Sequence, residues 1–569
     1  MPKARTPKPM KNAPPGPWDS EVRLLIWLAT CVSVISFLAY FQRGDVLLYG
    51  DAVAHMNIAR RVFDSKTPGL LQLGTVWLPL PHLLIMPFIA VKQMWQSGSG
   101  GSLPSMAGYV FGVMGIFRLV RRMVSRDGEA DSRSRIAAWT AALIYGANPN
   151  LIYMQATAMG ESLYLAFFVW AVAHFAEFAR GDPKALMKCG GCLAAACLTR
   201  YDGWFLAVVM VIAALTRDRL HSYRLHRPIE VEKNSPTPTS LGSTVPKFIL
   251  LAAAAPVFWL CYNALVYRNP LEFANGPYSA KAIEQKTATV NPAKGAVVAA
   301  GSYFLKAAEL NVGEATWLGR LWLALAVLGS LAAWFEKRAR AALLLWASLP
   351  FYALSIAYGS VPIFVPTWWP HSLYNVRYGL QILPAFAVFV PLGISFLMES
   401  SAILPQIKIA WPRWESAAAL GATLLLAASS YAAIWRADPI CLREAANNMS
   451  GRIHLDKEVA TWIAELPPNS TLLMYLGEHV GALEQAGIPL KRTINEGNHR
   501  VWKRPTDPEG LWERALADPA AHADYAIAFE GDPVWASARA HHLTALVELH
   551  TTGQPPAVIF QCHALAPAN

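Results

Sequence analysis

The 569-residue chain is poor in charge, with only 15% of its residues Asp, Glu, Lys or Arg, against about 25% in a soluble domain. Together with 54% hydrophobic residues, that deficit excludes an ordinary water-soluble protein and points to a bilayer. The sequence has no glycine-rich nucleotide loop and no HExxH or His-x-x-x-His spacing, so neither a nucleotide nor a metal is indicated as a cofactor. It has no internal repeat, which removes support for an inverted-repeat transporter. The basic, proline-rich start is followed by no small-residue cleavage site, so residues 1–20 read as a cytoplasmic tail before an uncleaved anchor. Cysteine is scarce. Five of the seven (Cys31, Cys189, Cys192, Cys197 and Cys261) lie in apolar segments, and Cys189-x-x-Cys192 lacks the partners a metal or redox site needs. Cys441 and Cys562 bracket the C-terminal segment and invite a disulfide if it faces an oxidising compartment. The net charge of +11 is spread between apolar runs and forms no single patch. This is the pattern of cytoplasmic loops in a membrane protein, and no nucleic-acid partner is expected.

Apolar runs are what the chain has in abundance. A spanning helix needs roughly 20 mostly apolar residues, and eleven segments qualify: 22–42, 103–121, 136–154, 161–179, 185–200, 204–216, 247–267, 317–335, 341–358, 378–398 and 416–435. A twelfth run, 76–91, is short and holds Pro79, Pro81, His82 and Pro87. If it spanned, the basic loop 121–135 would face outward. If it lies at the outer interface, that loop and the basic loops at 180–188, 217–247, 336–340 and 405–413 are all inside. The second arrangement is expected. It places the first outer loop at 43–102, a further outer loop at 268–316, and everything after 436 outside. Residues 21–436 then form the membrane domain. Residues 437–569 alternate short apolar runs (470–476, 524–530, 543–549, 557–562) with helical patterns, as a small extracytoplasmic α/β domain would.

With this topology, polar residues far apart in sequence fall at one depth. Asp51, His55 and Arg60 sit in the first outer loop and Glu161 at the outer end of the fourth span. Arg200 and Asp202 occupy an outer turn, and Arg377 and Tyr378 the outer start of the tenth span. Arginines at helix ends often snorkel to head groups, but Asp and Glu have short stems and do so poorly. Asp51 and Glu161 therefore carry the most weight, since ionisable groups at membrane level are costly. His82 and His174 read as core histidines, and the aromatic stretch 366–375 as an interfacial belt.

Acids and arginines at the outer membrane face suit transfer of a sugar from a lipid-linked phosphate. The acceptor hydroxyl must lose a proton to a carboxylate, and the departing lipid phosphate gathers negative charge that arginine can meet. The rival readings are a lipid-linked sugar carrier without chemistry, which would need polar residues through the whole membrane depth, and a cell-envelope assembly subunit.

Over roughly residues 20–400 the chain resembles the lipid-phosphate-sugar-dependent glycosyltransferases of GT-C fold, in the clan of protein O-mannosyltransferases and lipid A aminoarabinose transferases. The matching residues are Asp51 in the first outer loop, Ala59-Arg60, and the proline-rich segment 77–84. Asn148-Pro149 followed by Glu161, and Arg377-Tyr378 followed by Pro384, complete the match. The chain departs from those families in two places. It has Asp51-Ala52 in place of their Asp-Glu, and Leu78-Pro79-Leu80-Pro81 in place of their Lys-Pro-Pro. The resemblance implies an all-α polytopic GT-C fold of about eleven transmembrane helices plus juxtamembrane helices; the small C-terminal α/β domain, which differs among the relatives, is read from the sequence pattern. It implies a multi-pass protein of the cytoplasmic membrane acting on its outer face, with a polyprenyl-phosphate sugar donor, membrane lipid as surroundings, and a glycan, lipid or protein acceptor. Asp51 is then the expected base of an inverting transfer, with Glu161 orienting the acceptor or tuning Asp51. Arg377, Arg60 and Arg200 are expected phosphate ligands, with His55, Asp202 and Tyr378 beside them. Tyr278 and Lys281, in the outer loop, are expected to close over the site.

Overall fold

The computed structural model describes residues 20–125, 131–225, 244–287, 290–399, 413–498 and 507–563. The tail before residue 20 and much of the expected inner loops at 217–247 and 405–413 lie outside the described residues.

Each of the eleven expected segments is helical, and eight of them belong to helices long and apolar enough to cross a membrane. The protein is a multi-pass membrane protein. The expected span 136–154 is divided into Ser132–Gly146 and Pro149–Gln155. Asn148 makes the break: its side chain accepts from the Leu151 amide, and Pro149, which has no amide hydrogen to continue the first helix, takes the first position of the second. The helix Pro183–Cys197 is only 15 residues long and is capped by Asp182. The awkward run 76–91 forms the 11-residue helix Pro79–Ile89, about 17 Å long against a hydrocarbon core of about 30 Å.

Two glycines set the packing that brings the polar residues together. A Cβ on Gly108 would meet the backbone of Leu163 at 2.8 Å, so helix Ser99–Val124 lies hard against helix Glu161–Ala179. A Cβ on Gly379 would fall on the backbone carbonyl of Ala307, which seats the 3₁₀ turn Val376–Ile382 on helix Val297–Val312. Gly379→Ala is expected to lower stability by about 1–3 kcal/mol through overpacking and to displace Arg377. A thermal unfolding midpoint in detergent, measured beside wild type, checks this.

The C-terminal residues form a five-stranded mixed sheet of order β2-β1-β3-β5-β4, with β1 Leu472–Met474, β2 Thr493–Ile494, β3 Tyr525–Phe529, β4 Thr544–Leu549 and β5 Ala557–Gln561. β1 runs parallel to β2 and β3, whereas β5 is antiparallel to β3 and β4. The four apolar runs read from sequence hold β1, β3, β4 and β5; the two-residue β2 has no period to read. Cys441 and Cys562 are both buried and free. The invited disulfide is absent because Cys441 faces the helical bundle, its Sγ 3.5 Å from Asn311 Oδ1, while Cys562 follows the last strand.

The sheet region is tied to the first outer loop. Glu484 accepts from Asn57, Asp64 accepts from the Lys491 amide at 3.1 Å, and Gln72 donates to the Gly497 carbonyl at 3.2 Å. The long helix Ile440–Ala464 runs from the last membrane helix toward the sheet and carries Glu444 into the interior.

Candidate active site

Three acids occupy the first turns of three helices. Asp51 opens Gly50–Arg61, Glu161 opens Glu161–Ala179, and Asp202 opens Asp202–Leu225. An acid in that position is favoured by the exposed amides and dipole of the helix start, which gives each a local reason to be there. The tertiary packing adds Arg377 at their meeting point. Its backbone follows Asn375, which sits in the left-handed region at φ 56° and turns the chain into the 3₁₀ segment.

The Arg377 guanidinium is buried and meets three carboxylates. Nη2 lies 2.6 Å from Asp51 Oδ2, Nη1 lies 2.9 Å from Glu444 Oε1, and Nε lies 3.4 Å from Glu161 Oε1. Arg200 comes from the other side. Its Nη1 lies 2.9 Å from the same Glu161 Oε1, its Nη2 donates to the Tyr352 hydroxyl at 2.9 Å, and its Nε lies 3.5 Å from Asp202 Oδ1. Tyr352 in turn donates to Asp202 Oδ2 at 3.2 Å. Both guanidiniums lie about 5 Å from the centroid of the Tyr378 ring. Four carboxylates and two guanidiniums thus form one connected network.

Its members differ in access. The side chains of Glu161 and Glu444 are 1% exposed, whereas that of Asp51 is 39% exposed. Among these acids Asp51 faces the open side. Glu161 has a second peculiarity: Oε1 bridges both arginines, but its buried Oε2 has no hydrogen-bond partner. Buried acceptors are nearly always paired, so this oxygen is an unmet acceptor behind Asp51.

His55 lies four residues from Asp51, about 40° around the same helix, and so shares its face. Its Nδ1 is 2.8 Å from His82 Nε2. Burial lowers the pKa of His55; Asp51 and Glu161 pull it up, and Arg200 and Arg377 push it down. His82 is fully buried and its Nδ1 has no partner. One hydrogen is shared between His55 Nδ1 and His82 Nε2, and the tautomer of the pair sets which ring donates.

Not every expected residue joins this network. Arg60 is nine residues from Asp51, which is half a turn out of phase and places it on the opposite helix face. There it pairs with Asp64 at 2.8 Å, donates to the Ile89 carbonyl at 2.6 Å and stacks over Trp95 at 4.1 Å. Tyr278 hydrogen-bonds Tyr475 near the C-terminal sheet, and Lys281 is exposed on helix Ala280–Thr287. The structure therefore brings together Asp51, His55, Glu161, Arg200, Asp202, Arg377 and Tyr378, and leaves Arg60, Tyr278 and Lys281 outside the arginine–carboxylate network. It adds Glu444, Tyr352, Tyr49 and His82. Glu444 also accepts from the Val376 amide at 2.5 Å and from the Tyr49 hydroxyl at 3.3 Å. No sequence signal marked it, because a single acid in a polar helix has no local distinction. Among the described residues no group of three or more His, Cys, Asp and Glu is placed to hold a metal ion.

No protein-family model matches the chain, and no curated protein matches it. Solved structures do. ArnT from Cupriavidus metallidurans bound to undecaprenyl phosphate aligns at TM-score 0.55 with 16% identity, covering 96% of this chain and 98% of that one. The apo state of the same protein aligns at TM-score 0.56 with 15% identity, covering 95% and 97%. At this identity the likeness establishes architecture, and from its membrane helices to its C-terminal sheet this chain has the GT-C fold of ArnT.

Proposed function

We propose that the protein is a membrane glycosyltransferase that moves a sugar from a polyprenyl-phosphate donor to an acceptor hydroxyl at the outer face of the cytoplasmic membrane. One observation carries the reading. The accessible Asp51 is held by Arg377 beside a buried Glu161 with a free acceptor oxygen, on the fold of a protein whose structure holds undecaprenyl phosphate.

In the proposed reaction Glu161 Oε2 receives the acceptor hydroxyl, or a neighbouring hydroxyl of the same molecule, and fixes its approach. Asp51 takes the hydroxyl proton as the oxygen attacks the anomeric carbon. The new carbon–oxygen bond forms as the bond to the lipid phosphate breaks, and its electron pair leaves on the phosphate. Protonation of Asp51 weakens its hold on Arg377 Nη2. That donor is then free to meet the phosphate at the moment its charge rises, which is stabilisation specific to the transition state. Glu444 and Glu161 keep the guanidinium in place meanwhile, and the His55 ring shares the helix face of Asp51. Attack from the face opposite the phosphate inverts the anomeric centre.

Deleting the gene tests the reading at the level of the cell. A defined sugar is expected to disappear from cell-envelope material while its lipid-linked donor accumulates. An unchanged envelope glycan profile with no donor accumulation would remove the proposal.

The proposed sidedness has its own test. Lys66 and Ser132 are both exposed, so a cysteine at either, in a cysteine-free background, should be open to a membrane-impermeant thiol reagent on its own side. Labelling from outside is expected at position 66 and not at 132. Outside labelling at 132 would mean that 76–91 spans.

A further inference from the structure

The bundle also holds a cavity whose basic mouth lies at the end away from Asp51. The last turn of helix Glu161–Ala179, the start of Pro183–Cys197, one face of Asp202–Leu225 and the segment 334–350 enclose a half-open cavity of about 1200 Å³. Phe178, in its wall, is 17 residues along the helix from Glu161, about 25 Å away by helix rise. This volume is above the range of roughly 300–1,000 Å³ usual for small-molecule pockets. Phe178, Phe205 and Trp346 give the walls an apolar surface, and Arg217, Lys337 and Arg340 also line it.

The charge of these three residues is not spent within the described protein. Glu177, the nearest buried acid on the same helix, is taken by Arg118 at 2.8 Å, Arg122 at 2.5 Å and His174 at 3.0 Å. Asp182 accepts from the Lys184 amide at 3.0 Å, and Glu336 lies 3.5 Å from Arg338. Arg217 instead lies over the Phe178 ring at 5.2 Å, and Arg340 Nε donates to the Trp334 carbonyl at 2.7 Å. Among the described residues neither of these arginines, nor Lys337, has a carboxylate partner. Apolar walls alone select nothing in a bilayer, because lipid tails are as apolar as the protein. Cations at the mouth do select, since basic pockets between membrane helices bind anionic head groups.

We propose that this cavity is a binding site for an anionic glycerophospholipid, with its phosphate at Arg217, Lys337 and Arg340 and its acyl chains along Phe178, Phe205 and Trp346. The cavity runs from its basic mouth up to Phe205 and Pro350, within one turn of Asp202 and Tyr352, and lipid binding at the mouth is read out independently of the reaction proposed at Asp51.

Native mass spectrometry of the full-length protein tests it, with phosphatidylglycerol and phosphatidylcholine of identical acyl chains as probes. Wild type is expected to retain one phosphatidylglycerol with a preference of roughly tenfold or more over phosphatidylcholine. The double variant Arg217→Gln, Arg340→Gln is expected to lose that preference with an unchanged unfolding midpoint in detergent alone. Equal retention of the two lipids by wild type would overturn the proposal, as would a preference that survives in the double variant. Ala213→Trp fills the wall and keeps the cations, so it serves if the double variant does not fold. It should abolish retention, and undiminished retention would place the lipid elsewhere.

Discussion

Arg377→Ala should yield a protein that is both less stable and inactive, while Arg377→Lys should fold and transfer slowly. The guanidinium is the common partner of Asp51, Glu161 and Glu444. Removing it leaves the buried Glu444 with the backbone amides of Val376 and position 377 and the Tyr49 hydroxyl but no cation, and leaves Glu161 with Arg200. Breaking a buried ion pair by deleting one partner costs about 3–5 kcal/mol, so a lower melting temperature and reduced yield are expected. Lysine keeps the charge but has no planar fork to span three acids. It would satisfy one or two of them and leave the phosphate without its directed donor. A residue that merely snorkels would behave otherwise, with lysine substituting fully. Unfolding midpoints and single-turnover rates on both variants separate the two. Wild-type stability in Arg377→Ala would contradict the role of the guanidinium as hub.

Asp51→Asn is expected to have the opposite signature, with stability close to wild type and transfer slowed by about 10²–10⁴-fold. The same ion pair is cut, but from its exposed end. Asp51 is 39% exposed, and exposed partners contribute little to stability. Arg377 meanwhile retains Glu444 and Glu161. The amide is nearly isosteric with the carboxylate yet cannot take the hydroxyl proton. Pairing the two variants is informative because a purely structural ion pair would show similar effects from either side. Near-normal turnover in purified Asp51→Asn would exclude Asp51 as the base.

The parts of this arrangement that could be read from sequence were those with a local or periodic signature. Apolar runs of spanning length gave the helices, and the depth common to Asp51, Glu161, Arg200, Asp202 and Arg377 gave most of the network. The period of Gly50–Arg61 would also have separated His55 from Arg60, since nine residues carry Arg60 to the far face. Proximity in sequence to Asp51 concealed that. Glu444 was not legible because its partner Arg377 is 67 residues away and the helix carrying it follows the last expected span. Tyr352 lay inside an apolar run, where a tyrosine is unremarkable until Arg200 and Asp202 are seen to flank its hydroxyl. His82 was visible but read as core. It is indeed fully buried, and its one partner is His55. The break at Asn148-Pro149 was present in the sequence as a cap followed by proline, and was overridden by the apolar residues on both sides.

The most direct measurement is the stereochemistry and stoichiometry of the transfer itself. A deletion strain supplies both substrates, its lipid extract holding the unused donor and its envelope the unmodified acceptor. Purified protein in liposomes is given both, and the products are followed by NMR at the anomeric proton and by release of free polyprenyl phosphate. The proposed mechanism predicts one polyprenyl phosphate released per glycoside formed, with the anomeric configuration opposite to that of the donor. Formation of a glycoside with retained configuration, or passage of the lipid-linked sugar across the bilayer without release of polyprenyl phosphate, would contradict it.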